Sequence, residues 1–234
     1  MIRKTFDQSL QQLQNDLLVL GAGVENALAQ SVTALKQQDA EQARTLIAAD
    51  REIDAKRYDI EAQALMLIAT QQPMAGDMRT LAATLFIANE LERMGDYAKG
   101  IARITLRIGS APLIKPLIDI PRMVAIVCDI LRRSLLAFVH RDEPAARAII
   151  VVDDDVDALY AQVYRELITL VLGKPSDIEQ ANLLLWAAHN LERAADRVTN
   201  ICERVIYSVT GALVETGWQE DDQPQLPGSN VSKP

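Results

Sequence analysis

The segment Leu91-Glu92-Arg93-Met94-Gly95-Asp96 returns one hundred residues later as Leu191-Glu192-Arg193-Ala194-Ala195-Asp196. Each copy carries two carboxylates four residues apart. On an α-helix that spacing is about one turn, so both groups lie on one face. Like charges so placed repel, at a cost of a few tenths of a kcal/mol to an isolated helix. A chain that holds the arrangement twice, at matched places, gathers negative charge as if for a cation. The repeat therefore bears on fold and on binding together.

Outward from these segments the helical periodicity runs almost without a break, and no stretch alternates as a strand does. A first helix is expected from about Thr5 to Lys36. Asp39 followed by Gln42 reads as a capping box that opens a second helix, continuing to about Thr70. Pro73 and Gly76 mark the turn into a third, which ends near Gly109. Pro112, Pro116 and Pro121 then mark a linker or helix entry.

The plan repeats beyond the linker. A fourth helix is expected from about Pro121 to His140. Asp142 caps a fifth, with Pro144 in a first turn that tolerates it, and this helix runs to near Gly173. Lys174-Pro175 makes the turn, and Ser176 with Glu179 reads as a capping box opening a sixth helix to about Thr210.

Asp39-Ala-Glu-Gln-Ala-Arg superposes on Asp142-Glu-Pro-Ala-Ala-Arg at a shift of 103, as do Asp50 on Asp153 and Asp54 on Asp157. Past the next turn the shift becomes 100, so the first half holds three extra residues around Gln71-Gln-Pro-Met-Ala-Gly76. A duplication of this period means two copies of one helical unit. The predicted fold is all-α: two similar antiparallel three-helix bundles, over residues 1–111 and 112–216, with a disordered acidic tail at 217–234.

The carboxylates sit beside the apolar stripes. In the third helix Ile87, Leu91, Met94, Ala98 and Ile101 form a bundle seam. Glu92 and Asp96 lie to one side of it, and Glu192 and Asp196 repeat the placement beside Leu191, Ala195, Val198 and Cys202. Asp50 and Asp54 flank Ile53, and Asp153 and Asp157 flank Val156. If the two acidic faces within each bundle are adjacent, three or four carboxylates converge. Such a site suits oxygen-seeking cations such as iron, manganese, magnesium or calcium, with zinc as a further candidate. A salt-bridge network through Arg93, Arg193, Lys56 or Arg57 is the competing reading.

Other residues read as structural. Cys128 and Cys202 are expected as buried thiols, in the absence of any CxxC pair. His189 reads as a packing or surface residue, with an auxiliary ligand as the lesser alternative, since neither half has the Glu-x-x-His of di-iron bundles. Phe86 and Trp186, at equivalent positions, read as core anchors, and Asp154 and Asp155 as flanking charges.

Composition narrows the function classes. Apolar residues make up 49% of the chain and aromatics only 4%, as in Ala- and Leu-rich helical cores. A net charge of −8 is unlike the basic surface that nucleic-acid binding needs. No apolar signal region opens the chain, and the longest apolar runs, Leu183 to Ala188 among them, are short of a membrane span, so a cytoplasmic protein is expected. No nucleotide loop, GxSxG or HExxH is found. The residues thus favour a binding protein over an enzyme.

The paired motif, Asn89-Glu-Leu-Glu-Arg-Met-Gly-Asp-Tyr-Ala98 with Leu191-Glu-Arg-Ala-Ala-Asp-Arg197, resembles the signature of the PhoU family. These are accessory and regulatory proteins of the bacterial phosphate-specific transport system. The resemblance covers residues 1 to about 215. It implies a negative regulator of phosphate uptake and of the phosphate-starvation response. Such a regulator bridges the transporter's ATPase subunit and a phosphate-sensing histidine kinase, commonly as a homodimer. It implies multinuclear iron or zinc at Asp50, Asp54, Glu92 and Asp96 and at Asp153, Asp157, Glu192 and Asp196. Magnesium or manganese are alternatives. A metal-dependent carboxylate-bundle enzyme or a metal-storage protein is the alternative function.

Overall fold

The computed structural model describes residues 2–213, with side chains from Thr5 onward. The predicted tail at 217–234 lies outside the described residues. The fold is all-α. Helices α1 (Ile2–Gln37), α2 (Ala40–Gln71) and α3 (Ala75–Ile108) build the first bundle. Helices α4 (Asp119–His140), α5 (Glu143–Ile150), α6 (Asp153–Gly173) and α7 (Ile178–Thr210) build the second.

Local chemistry fixes the helix starts. The Asp39 carboxylate accepts from the backbone N–H groups of Glu41 and Gln42, two donors with no partner inside α2. The Gln42 side chain does not close the predicted box; it donates to Gln30 of α1 at 3.0 Å. Asp142 caps α5 by accepting from Ala145 N at 2.9 Å, with Pro144 in the first turn. The predicted box of Ser176 and Glu179 does not form. Pro175–Asp177 instead make one 3-10 turn ahead of α7, and the Ser176 hydroxyl donates to Asp177.

The expected fifth helix is two helices. The chain turns at Val151-Val152, where Val152 N donates to Ile149 O at 2.9 Å, and α6 begins afresh at Asp153. The matching place in the continuous α2 is Ala48-Ala49. Alanine propagates a helix, a β-branched pair does so less readily, and the three aspartates that follow prefer a helix N-terminus.

The seam residues are buried as their spacing predicts. Ile87, Leu91, Met94, Ala98 and Ile101 are at most 2% exposed, and Leu191, Ala195, Val198 and Cys202 are fully buried. Each large aliphatic side chain so removed from water contributes about 2 kcal/mol. Over Thr5–Gln37, α1 is long and apolar enough by composition to cross a membrane. Its Leu13, Leu17, Leu20, Val24 and Leu28 are all spent in the core.

The two bundles share one continuous core. Helix α3 runs antiparallel to α7: Arg204 stacks on Phe86, Asn200 donates to Glu90, Arg193 covers Tyr97, and Asn190 packs on Gly100. These pairs rise along one helix as they fall along the other, so the halves are related by an internal twofold axis. Helix α1 meets α4 where Glu25 pairs with Arg132 at 2.7 Å. A Cβ on Gly21 would fall 2.1 Å from the Leu135 side chain, so glycine sets the approach of these two helices. Gln38 and Gln180, one from each bundle, bond the linker backbone at Gly109, Ala111, Pro112 and Ile114.

Candidate functional site

In the first bundle α2 contributes Asp50 and Asp54, and α3 contributes Glu92 and Asp96. The helices meet closely at Gly95, where a Cβ would lie 3.1 Å from Ile53. The second bundle changes both partners, with Ala195 for Gly95 and the smaller Val156 for Ile53. The pair is conserved in volume across the duplication, and it holds the two acidic faces side by side.

Each face does gather its carboxylates into one electrostatic neighbourhood. The Glu92 carboxyl is raised above its ordinary value, first by burial, then by Asp96 and Asp54, while Arg57 and Arg93 pull it back. In the second bundle burial again leads. It lifts Asp153 to about 6, helped by Asp157 and Asp196 and opposed by a hydrogen bond from Thr199. Asp157 is raised by burial, Asp196 and Asp154. Glu192 is raised by burial, Asp196 and Asp157, with His189 acting against them. Carboxylates of α2 and α3, and of α6 and α7, thus raise one another's proton affinity across each helix pair.

The faces differ in how that charge is met. Asp50 is only 6% exposed, and Lys99 of α3 reaches across to it, Nζ lying 2.5 Å from Oδ2. The same ammonium lies 3.5 Å from Asp96. In the second bundle the position of Lys99 is Thr199, which carries no charge. Among the described residues Asp153, Asp157 and Asp196 have no lysine or arginine partner, and His189 Nδ1 lies 3.0 Å from Glu192 Oε2. His189 thus meets the buried Glu192 Oε2, while Asp153 Oδ1 is buried without a hydrogen-bonding partner. A buried carboxylate oxygen left in this state is costly.

The second face therefore fits a metal ion by the chemistry of its donors: hard oxygens, unmet charge and an adjacent imidazole. Among the described residues no three such groups stand close enough together to enclose an ion as they are placed. An ion there would draw Asp153, Asp157, Glu192 and Asp196 inward. The first face already holds a cation, in the form of a side chain.

Lys99 was not among the neutralising residues suggested by the sequence. Of those that were, Arg193 covers the Tyr97 ring, and Arg57 pairs with Glu61 and stacks on Tyr58. Lys56 lines a cleft of roughly 200 Å³ together with Asp50 and Lys99. The signal for Lys99 was available: it stands three residues after Asp96 and faces Thr199 in the repeat alignment. Trp186 is a correction, for it is 53% exposed and edges against His189 at 5.6 Å instead of anchoring the core. Phe86 is half-buried under the Arg204 guanidinium. Cys128 and Cys202 are buried thiols, pushed by burial up to about 11 and about 12.

A duplicated, three-helix-bundle protein with one acidic face per bundle is the class that this fold and site define. The PhoU domain model matches residues 17–105 and 120–205, one match for each bundle. The chain is 35% identical over 216 residues to a phosphate-specific transport system accessory protein PhoU homolog of Clostridium acetobutylicum, covering 92% of this chain and 99% of that one. It is 33% identical to the Deinococcus radiodurans protein of the same description, over 90% of this chain and 99% of the relative. The crystal structure of the phosphate transport system regulatory protein PhoU from Streptococcus pneumoniae superposes with a TM-score of 0.84 at 30% identity, over 90% of this chain and 99% of that chain. PhoU from Pseudomonas aeruginosa gives 0.83 at 28% identity, over 88% and 100%. The chain belongs to the PhoU family.

Proposed function

We propose that this protein is a non-enzymatic negative regulator of phosphate uptake and of the phosphate-starvation response. It acts in the cytoplasm as an adaptor between the ATPase subunit of the phosphate transporter and a phosphate-sensing histidine kinase, as a homodimer. The observation that carries the reading is the family match over both bundles, to relatives described as accessory proteins of phosphate-specific transport. Iron or zinc, with magnesium or manganese as alternatives, binds at the acidic face of Asp153, Asp157, Glu192 and Asp196. The unpartnered buried Oδ1 of Asp153 and the lack of a lysine or arginine partner on Asp153, Asp157 and Asp196 among the described residues support this. Bound metal would supply the positive charge that these four residues lack.

The test is capture of the transporter ATPase and of the kinase by the full chain at high phosphate, beside a deletion strain scored for starvation-response output. Retention of both partners and a response that stays on in phosphate-rich medium are the expected results. Capture of neither partner overturns the adaptor role.

A further inference from the structure

We infer that Lys99 is a built-in counter-ion that closes the acidic face of the first bundle to metal, leaving metal to the face of the second. This rests on the reading that the second face takes a metal ion, and it goes further by separating two sites that the duplicated motif makes look alike.

The argument is one of geometry and charge. Lys99 Nζ lies 2.5 Å from the buried Asp50 and 3.5 Å from Asp96, one carboxylate from each of the two helices that would have to share an ion. A lysine ammonium is compact and stays charged at neutral pH. A metal entering between α2 and α3 would have to break a charge-assisted hydrogen bond to a buried carboxylate. It would also have to sit within a few ångströms of a second positive charge tethered to the same helix. Two positive charges that close repel strongly at a partly buried protein surface. No equivalent barrier guards the second face, where Thr199 offers a neutral hydroxyl at the matching position. The cleft beside Lys99, roughly 200 Å³, leaves room for solvent to reach the first face. Access is therefore not what excludes the ion; the ammonium is.

Exchange of the two residues tests this in the full chain, with zinc(II) as the probe. Uptake is read by elemental analysis after desalting and by competition with a chromophoric chelator. Wild type is expected to lose affinity about tenfold or more, about 1.4 kcal/mol, on Glu192→Gln and to be unmoved by Glu92→Gln. Lys99→Thr is expected to gain a second zinc-binding face, and Thr199→Lys to lose the first. If Lys99→Thr fails to fold by circular dichroism, Thr199→Lys carries the exchange in the opposite direction. Equal losses on Glu92→Gln and Glu192→Gln, or no gain of zinc by folded Lys99→Thr, would overturn the inference while leaving metal binding intact. No zinc on wild type or on Lys99→Thr would overturn the metal reading, and this inference with it.

Discussion

The two acidic faces began as copies and are no longer chemically alike. In the first, a lysine from α3 supplies the missing charge from within the chain. In the second, a threonine stands in its place and the buried Oδ1 of Asp153 goes unpartnered. A repeated motif thus reports common geometry without reporting common chemistry. The residue that decides lies outside the motif, three positions beyond Asp96.

The largest stability difference should come from removing that lysine. In the presence of a chelator, Lys99→Met strands Asp50, at 6% exposure, without its cation and should cost about 2–3 kcal/mol. Thr199→Val in the other face should cost no more than about 1 kcal/mol. Urea unfolding of the two variants measures both, and equal losses would end the distinction between the faces.

A smaller effect should separate the helix contacts that position those faces. Gly95→Ala places a Cβ about 3.1 Å from Ile53 and should lose about 1 kcal/mol, the crowding outweighing the helix preference of alanine. Adding Ile53→Val recreates the pairing of the second half and should recover it. A double-mutant cycle with no coupling would show that the two positions are energetically independent and that their volumes do not compensate.

The smallest effect is in pH. The Asp153 carboxyl is raised, chiefly by burial, from an ordinary 3.8 to about 6. Between those values the folded chain holds a proton that the unfolded chain has released. Stability from this group therefore falls as pH rises through the window, and the loss is complete above it. Asp153→Asn should flatten that slope in metal-free protein, gaining on wild type near pH 7 and matching it near pH 4. Unfolding midpoints at the two pH values decide, and an unchanged slope would place the raised proton affinity elsewhere.

Much of the fold could be read from residue spacing. The seam residues, the Asp39 and Asp142 caps, the duplication and the acidic faces all follow from local pattern, because a helix fixes which positions share a side. What local pattern missed depended on context. The break at Val151-Val152 is a weak preference tipped by three following aspartates, in a stretch whose apolar periodicity carries straight on. Trp186 had the right size for a core anchor, yet its burial depends on which neighbouring helix covers it. Lys99 acts through Asp50, forty-nine positions away in the chain, and only the packing of α2 on α3 makes them neighbours.

The antiparallel seam of α3 on α7 has a consequence of its own. Two separate but identical subunits meeting across a dyad must present every interfacial residue twice. Fusing them into one polypeptide lifts that requirement. Glu90 can meet Arg197 and Asn200 on one side of the axis, while Asn190 lies against Gly100 on the other. A tethered pair is free to specialise one half and keep the other unchanged, which no symmetric assembly of equals can do.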